Sequence, residues 1–252
     1  MIAPPVTGDL LGLMAAEGRD LLRRVDLVID HLGTPAGHPL PPLLERLRLR
    51  PGQALRALLD TSPDDLLAAA AELRKLAAAY RDDLVGPLHR SVADLGWGGP
   101  GFAGFAARWA AQARHLAGPD GTSLAGRLEL TADFAESAAG WYSHARQGMA
   151  TVLVKAFGSA EAVVLNACPA LDGDGAGLRR AVVAGEIERG DRLAGAAADL
   201  GAAVLGVVGR WYDEVAEEFL AGDWPVRLGP LPEPRVMTLD DPDDFSAGWV
   251  NL

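Results

Sequence analysis

The chain of 252 residues holds one cysteine, Cys168, and two lysines, Lys75 and Lys155, and aromatic residues make up only 6% of it. A single thiol excludes an internal disulfide and any cysteine cage for a metal. The five histidines, His31, His38, His89, His115 and His144, follow neither H-E-x-x-H nor another paired-ligand spacing. No G-x-S-x-G turn for a nucleophilic serine occurs, and no pair of carboxylates stands out. We therefore assign no catalytic residue, no metal and no cofactor, and read the chain as non-enzymatic. Positive charge is scarce too: 23 Lys and Arg stand against 34 Asp and Glu, a formal net charge of -11. Phosphate neutralisation dominates nucleic-acid affinity, so this balance argues against such a partner. The first twenty residues have neither the basic region nor the apolar core of a cleaved signal peptide. The longest apolar candidate, MATVLVKAF (149–157), is interrupted by Lys155, far short of the roughly 20 apolar residues that cross a bilayer. A cytoplasmic protein, or one exported without a cleaved signal, is expected.

What the chain does have is alanine and leucine, which lose little rotamer freedom in a helix. Hydrophobic residues reach 49%, enough for a core. Residues 1–60 read as short helices around the breaker GTPAGHPLPP (33–42), either a subdomain or an extension. The clearest start signal is TSPDDLL (61–67): Ser62 as N-cap, Pro63 at the first helical position, and Asp64 and Asp65 facing the positive end of the helix dipole. Leu66, Ala70, Leu73, Ala77, Tyr80 and Leu84 then alternate by four and three, a seam suited to packing on another long helix. Gly86-Pro87 kinks or ends this helix. A second helix carries Phe102, Phe105, Ala106, Trp109, Ala113 and Leu116 on one face. A third pattern runs from near Ser123 toward Ala167, with its break expected at Gly158-Ser159, and a fourth from Leu178 to Leu220 includes Val182 and Trp211. The fold class is all-α: long antiparallel helices in a bundle over residues 61–222. Residues 223–252 hold an acidic cluster, Asp240, Asp241, Asp243 and Asp244, among prolines, and read as an extended, disordered tail with Trp224, Phe245 and Trp249 as sticky points.

Between the first two long helices lies GWGGPG (96–101), the largest side chain set among glycines. Glycines permit the tight reversal, and Trp97 is expected to fold over the gap between the helices and cap their shared core. Trp97, Gly98 and Gly99 joining two amphipathic helices resemble the W-x-G hairpin of the WXG100 (ESAT-6-like) proteins. Phe105, eight residues after Trp97, stands where that family often has an aromatic. The resemblance covers roughly Ser62 to Leu116. It implies a helical hairpin that pairs with a protein partner, either a small WXG100-type protein or a second copy, in association with type VII (ESX) secretion. On this reading Leu66, Leu73, Tyr80, Phe102, Phe105, Trp109 and Trp211 supply the packing or partner face. The tyrosine-to-acid spacing of the family's export signal is absent: Tyr80 is followed four residues on by Leu84, Tyr142 by Arg146, and Tyr212 by Ala216.

Two other readings follow from the same residues. One is a cytosolic helical adaptor or immunity-type partner without export, which the missing signal favours. The other is a helical enzyme or small-ligand protein with a pocket between its long helices. Two loops carry weak ligand signals. DGDG (172–175) lacks the later ligands of an EF-hand. GWGGPG precedes a helix N-terminus but lacks the Lys-Ser/Thr of a phosphate loop.

Overall fold

A computed structural model describes residues 9–173, 175–184 and 187–229, and these form helices, turns and loops without a strand. The all-α expectation holds. Helix α1 (Leu10–Leu13) leads into α2 (Ala15–Leu32), and the proline-rich breaker separates α2 from α3 (Leu40–Leu47). Helix α4 (Pro51–Asp60) opens with proline at its first position, and the Gln53 side chain accepts the Arg50 N–H at 2.9 Å. Helix α5 (Pro63–Ala79) begins where the Ser-Pro-Asp-Asp signal places it. A π-helical segment (Tyr80–Val85) joins it to α6 (Gly86–Ala93), and α7 (Pro100–Ala117) follows the glycine turn. Helix α8 (Leu124–Phe157) is capped by Ser123, whose buried hydroxyl accepts the Gly126 N–H at 2.9 Å and donates to the Gly118 carbonyl at 2.6 Å. It stops at Gly158, as expected, and Ser159 caps α9 (Ala160–Asn166) through the Ala162 N–H. The fourth pattern is two helices, α10 (Ala176–Val183) and α11 (Ile187–Ala221), and the side chain of Val182 lies outside the described residues. Helix α12 (Trp224–Arg227) ends the described chain.

The chain divides into two compact units, which cut across the 61–222 bundle read from the sequence. The first comprises the chain up to Pro63 with Gly140–Glu218; the second comprises Asp64–Ala139 with the chain from Phe219 on. The 60 residues before the hairpin are thus no separate subdomain: their helices share a core with the later half of α8 and most of α11.

That core is built from large side chains. Leu21, Leu22, Val25, Val28 and Ile29 form the stripe of α2, and Leu55 and Leu58 that of α4. Met149 and Leu153 come from α8, and Leu193, Leu200, Val204 and Leu205 from α11. Cys168 is buried there as one more apolar residue. Trp211 packs against this core. Its ring lies 5.5 Å from that of Tyr142, and its indole donates to the Trp141 carbonyl at 2.8 Å. It is engaged within its own unit. Gly190–Ala221 contains a window long and apolar enough to cross a bilayer, contrary to the sequence expectation, because alanine and glycine lower its polarity without forming an unbroken run of large apolar residues. Of that window, 61% is buried inside the protein.

One polar group in this unit is held at a cost. Asp26 of α2 reaches across to the start of α4, where its Oδ2 accepts the Gly52 N–H at 3.2 Å, and its Oδ1 is buried without a partner. Burial pushes its pKa up to about 6, against the opposing pull of that N–H and of the Arg50 charge, while Asp30 adds to the rise. Above pH 6 the folded state carries the ionised, desolvated form. Between pH 6 and 4 the folded state binds a proton that the unfolded chain lacks, so this group adds stability as pH falls through that window. Asp26→Asn keeps an acceptor for Gly52. In urea unfolding at several pH values, the variant should exceed the wild type by roughly 2 kcal/mol at pH 7.5 and match it near pH 4. A difference that does not change with pH would show that Asp26 titrates normally.

Candidate protein-interaction site

In the second unit, α5 and α8 present alanine where the first unit presents leucine. Ala70 and Ala77 on α5, and Ala125, Ala132 and Ala139 on α8, are buried at intervals of seven. Arg74 pairs with Glu136 and, at 2.8 Å, with Asp133, and Arg81 pairs with Glu129. The higher-numbered arginine takes the lower-numbered acid, so the helices run antiparallel. These hydrogen-bonded partners raise the pKa of both arginines and hold Glu129 and Glu136 below the usual carboxylate range. Such exposed pairs fix register more than they stabilise.

The seam read from the sequence is correct as far as Tyr80. Leu66, Leu73 and Tyr80 are half-buried and the intervening alanines fully buried. It then slips. Leu84 is 43% exposed, and Val85 is buried in its place. The π segment causes this, since its wider turn inserts one residue and rotates the next helix. The Gly86 N–H bonds the Arg81 carbonyl, five residues back. A Cβ on Gly86 would lie 3.0 Å from that oxygen, and Pro87 follows without an N–H to give. The expected kink is therefore a π bulge.

Helices α6 and α7, with the turn between them, form the hairpin, and α7 packs back on the π segment. Neither helix buries a single residue fully. Gly99 caps α7 with φ +91°, a conformation L side chains rarely adopt, and Gly96 also has positive φ; Gly98 does not. This reversal turns Trp97 onto the first turn of α7. Its ring centroid lies 5.8 Å from that of Phe102 and 6.0 Å from that of Phe105, and the residue is 54% exposed. Trp97 thus staples one helix end and does not plug a shared core. Phe102 and Trp109 face inward and are half-buried, and the Trp109 Nε1 is buried without an acceptor. Phe105 faces outward at 41% exposure, on the same side as Gly101, Arg108 and Gln112. The packing face expected for α7 is therefore divided, with Phe102 and Trp109 inside and Phe105 in solvent. Leu88 and Leu95 on α6 and its flank are also exposed, an apolar contribution that inspection of α7 alone missed. The apolar exposed set is thus Leu88, Leu95, Trp97 and Phe105.

The sequence placed Trp224 in a disordered tail, but it is 6% exposed. It packs edge-on against Phe134 at 5.3 Å, with the Arg227 guanidinium 4.3 Å above its ring. Phe245, Trp249 and the four aspartates of residues 240–244 lie outside the described residues, as does Asp174. Asp172 pairs with Arg24 at 2.7 Å, and the described residues contain no cluster of three potential metal ligands. His38 accepts the Leu40 N–H through Nδ1 and bonds Asp199 through Nε2, a structural use of the ring. A cleft of about 470 Å³ between the α7–α8 loop, α8 and α12 is lined by Arg127, Glu129, Asp133 and Arg227. The Arg127 guanidinium is committed to the carbonyls of Arg227 and Gly229, and that of Arg227 lies over the Trp224 ring.

No family model matches the chain, and neither a curated protein nor a solved structure matches it.

The geometry separates two roles within Trp97-Gly98-Gly99. Trp97→Ala should lower stability by only about 1 kcal/mol in urea unfolding, against the 3–5 kcal/mol typical of a buried tryptophan. A loss in that larger range would place the ring in a core. Gly99→Ala should cost about 1–2 kcal/mol, because the added methyl has space but the backbone conformation is strained. Gly98→Ala, with open space and no positive φ, should be nearly neutral in the same assay.

Proposed function

We propose that this chain is a non-enzymatic, WXG100-like protein associated with type VII secretion, acting by helix–helix association through the α6–α7 hairpin. The observation that carries this reading is a hairpin of two helices that bury no residue fully, with Leu88, Leu95, Trp97 and Phe105 in solvent around the glycine turn. An exposed aromatic cluster of this kind is the usual mark of a protein contact. The fit to the W-x-G pattern supports the family, since the glycine of the motif, Gly99, is the residue whose φ requires glycine. The partner is a helical protein, and the chain is cytoplasmic or leaves the cell without a cleaved signal. Without the tyrosine–acid spacing, export proceeds in company with that partner.

An immunoblot of culture filtrate from the native host, with and without its type VII ATPase, tests the reading. ATPase-dependent release of the chain is expected, together with loss of release for Phe105→Glu. That variant should unfold within about 0.5 kcal/mol of the wild type, because its side chain is exposed. A chain that stays in the cells under all conditions would overturn the secretion role and favour the adaptor reading.

A further inference from the structure

We infer that the hairpin face is a docking site for the chain's own acidic segment, residues 236–249, which covers it until a partner displaces it. The inference rests on reading the hairpin as a docking face, and charge selects the occupant. Within 86–117 the charged residues are Arg90, Arg108, Arg114 and Asp94, so this hairpin is net positive in a chain of net charge -11. The three arginines are exposed and form no ion pair among the described residues. Arg108 stands one turn from Phe105 on the same side of α7. Residues 236–249, VMTLDDPDDFSAGW, interleave four aspartates with Leu239, Phe245 and Trp249, matching an apolar face edged by guanidinium groups. Three other exposed apolar residues stand beside acids that repel such a segment: Tyr212 neighbours Asp213 and Glu214, Leu220 neighbours Glu217 and Glu218, and Leu84 follows Asp82 and Asp83. A second copy of the hairpin is disfavoured on this face because like charges would meet.

The tether reaches. Arg127 in the first turn of α8 holds the Gly229 carbonyl, and Val226 and Arg227 line the cleft beside the α7–α8 loop. The last described residue therefore sits near the C-terminal end of α7. From there to the glycine turn is the length of α7, 18 residues or about 27 Å at 1.5 Å each. Gly229 to Phe245 is 16 residues of chain. Fully extended, that many residues reach about 53 Å, more than the helix length. A contact tethered at such length acts at an effective concentration in the millimolar range, so even a weak one is occupied.

The test uses the full chain with p-benzoylphenylalanine replacing Phe105, irradiated at low micromolar concentration and analysed by mass spectrometry, with circular dichroism as the fold control. The expected product is a crosslink within one chain to residues 236–249. It should fall several-fold when Asp240, Asp241, Asp243 and Asp244 are changed to Asn, and again in 0.5 M salt, where the Debye length shrinks to about 4–5 Å. Crosslinks only between two chains would overturn the inference, assigning the face to a second copy and leaving the hairpin a docking site. Crosslinks confined to neighbours in α5–α8 would also overturn it. The hairpin reading itself fails on a different result, unaltered release of Phe105→Glu.

Discussion

The exposed hairpin follows from how little an alanine seam can bury. Ala70 and Ala77 on α5, and Ala125, Ala132 and Ala139 on α8, are the fully buried residues of the seam between these two helices, and the larger buried side chains of the unit, Val85, Leu130 and Trp224, each keep a little exposure. Each alanine removes far less apolar area from water than a leucine does, and the gain per residue scales with that area. The arginine–carboxylate ladder from Arg74 to Glu136 and from Arg81 to Glu129 then sets direction and register, which an alanine face specifies weakly. With methyl groups along the α5–α8 seam, the larger residues of α6 and α7 have only a shallow surface to meet. Phe102 and Trp109 are half-buried, and Leu88, Leu95, Trp97 and Phe105 stay in solvent.

The other unit shows the contrast. There α2, α4, α8 and α11 contribute Leu22, Val25, Leu55, Met149, Leu153 and Leu205, all fully buried, around one contiguous core. Polar groups inside it are bound to structural tasks: Asp26 at the start of α4, Trp211 on the Trp141 carbonyl, and Arg146 on the Leu58 carbonyl. Of these three, Asp26 carries an evident desolvation cost, in exchange for satisfying an orphan N–H at a helix start. The two units thus differ in what fills them: large aliphatic side chains in the first, and a seam of alanines between α5 and α8 in the second.

The π bulge links the two themes. Had α5 continued as an α-helix, the seam would have turned Leu84 inward. The extra residue buries Val85 instead and rotates everything after it, so the orientation of α6 depends on one wide turn. Its cause is local: Gly86 bonds five residues back, and Pro87 has no N–H to give to the regular ladder.

Much of this was legible in the chain itself. Helical class follows from alanine and leucine. The starts at Pro63 and after Ser159, and the stop at Gly158, follow from capping chemistry, which acts within a few residues and so can be read locally. The glycine-rich turn at 96–101 was visible for the same reason, but that Gly96 and Gly99, and not Gly98, need a positive φ was not. Only tertiary structure decided which apolar residues are covered. The heptad seam pointed Leu84 inward and the face of α7 pointed Phe105 inward, yet both are in solvent, because burial depends on what a neighbouring helix brings and on a bulge that shifts register. Trp224 shows the converse: a proline-rich, acidic neighbourhood reads as a tail, while contact with Phe134, ninety residues earlier in the chain, makes it core. Local chemistry sets where helices begin and end; partners distant in sequence set which of their faces remain open.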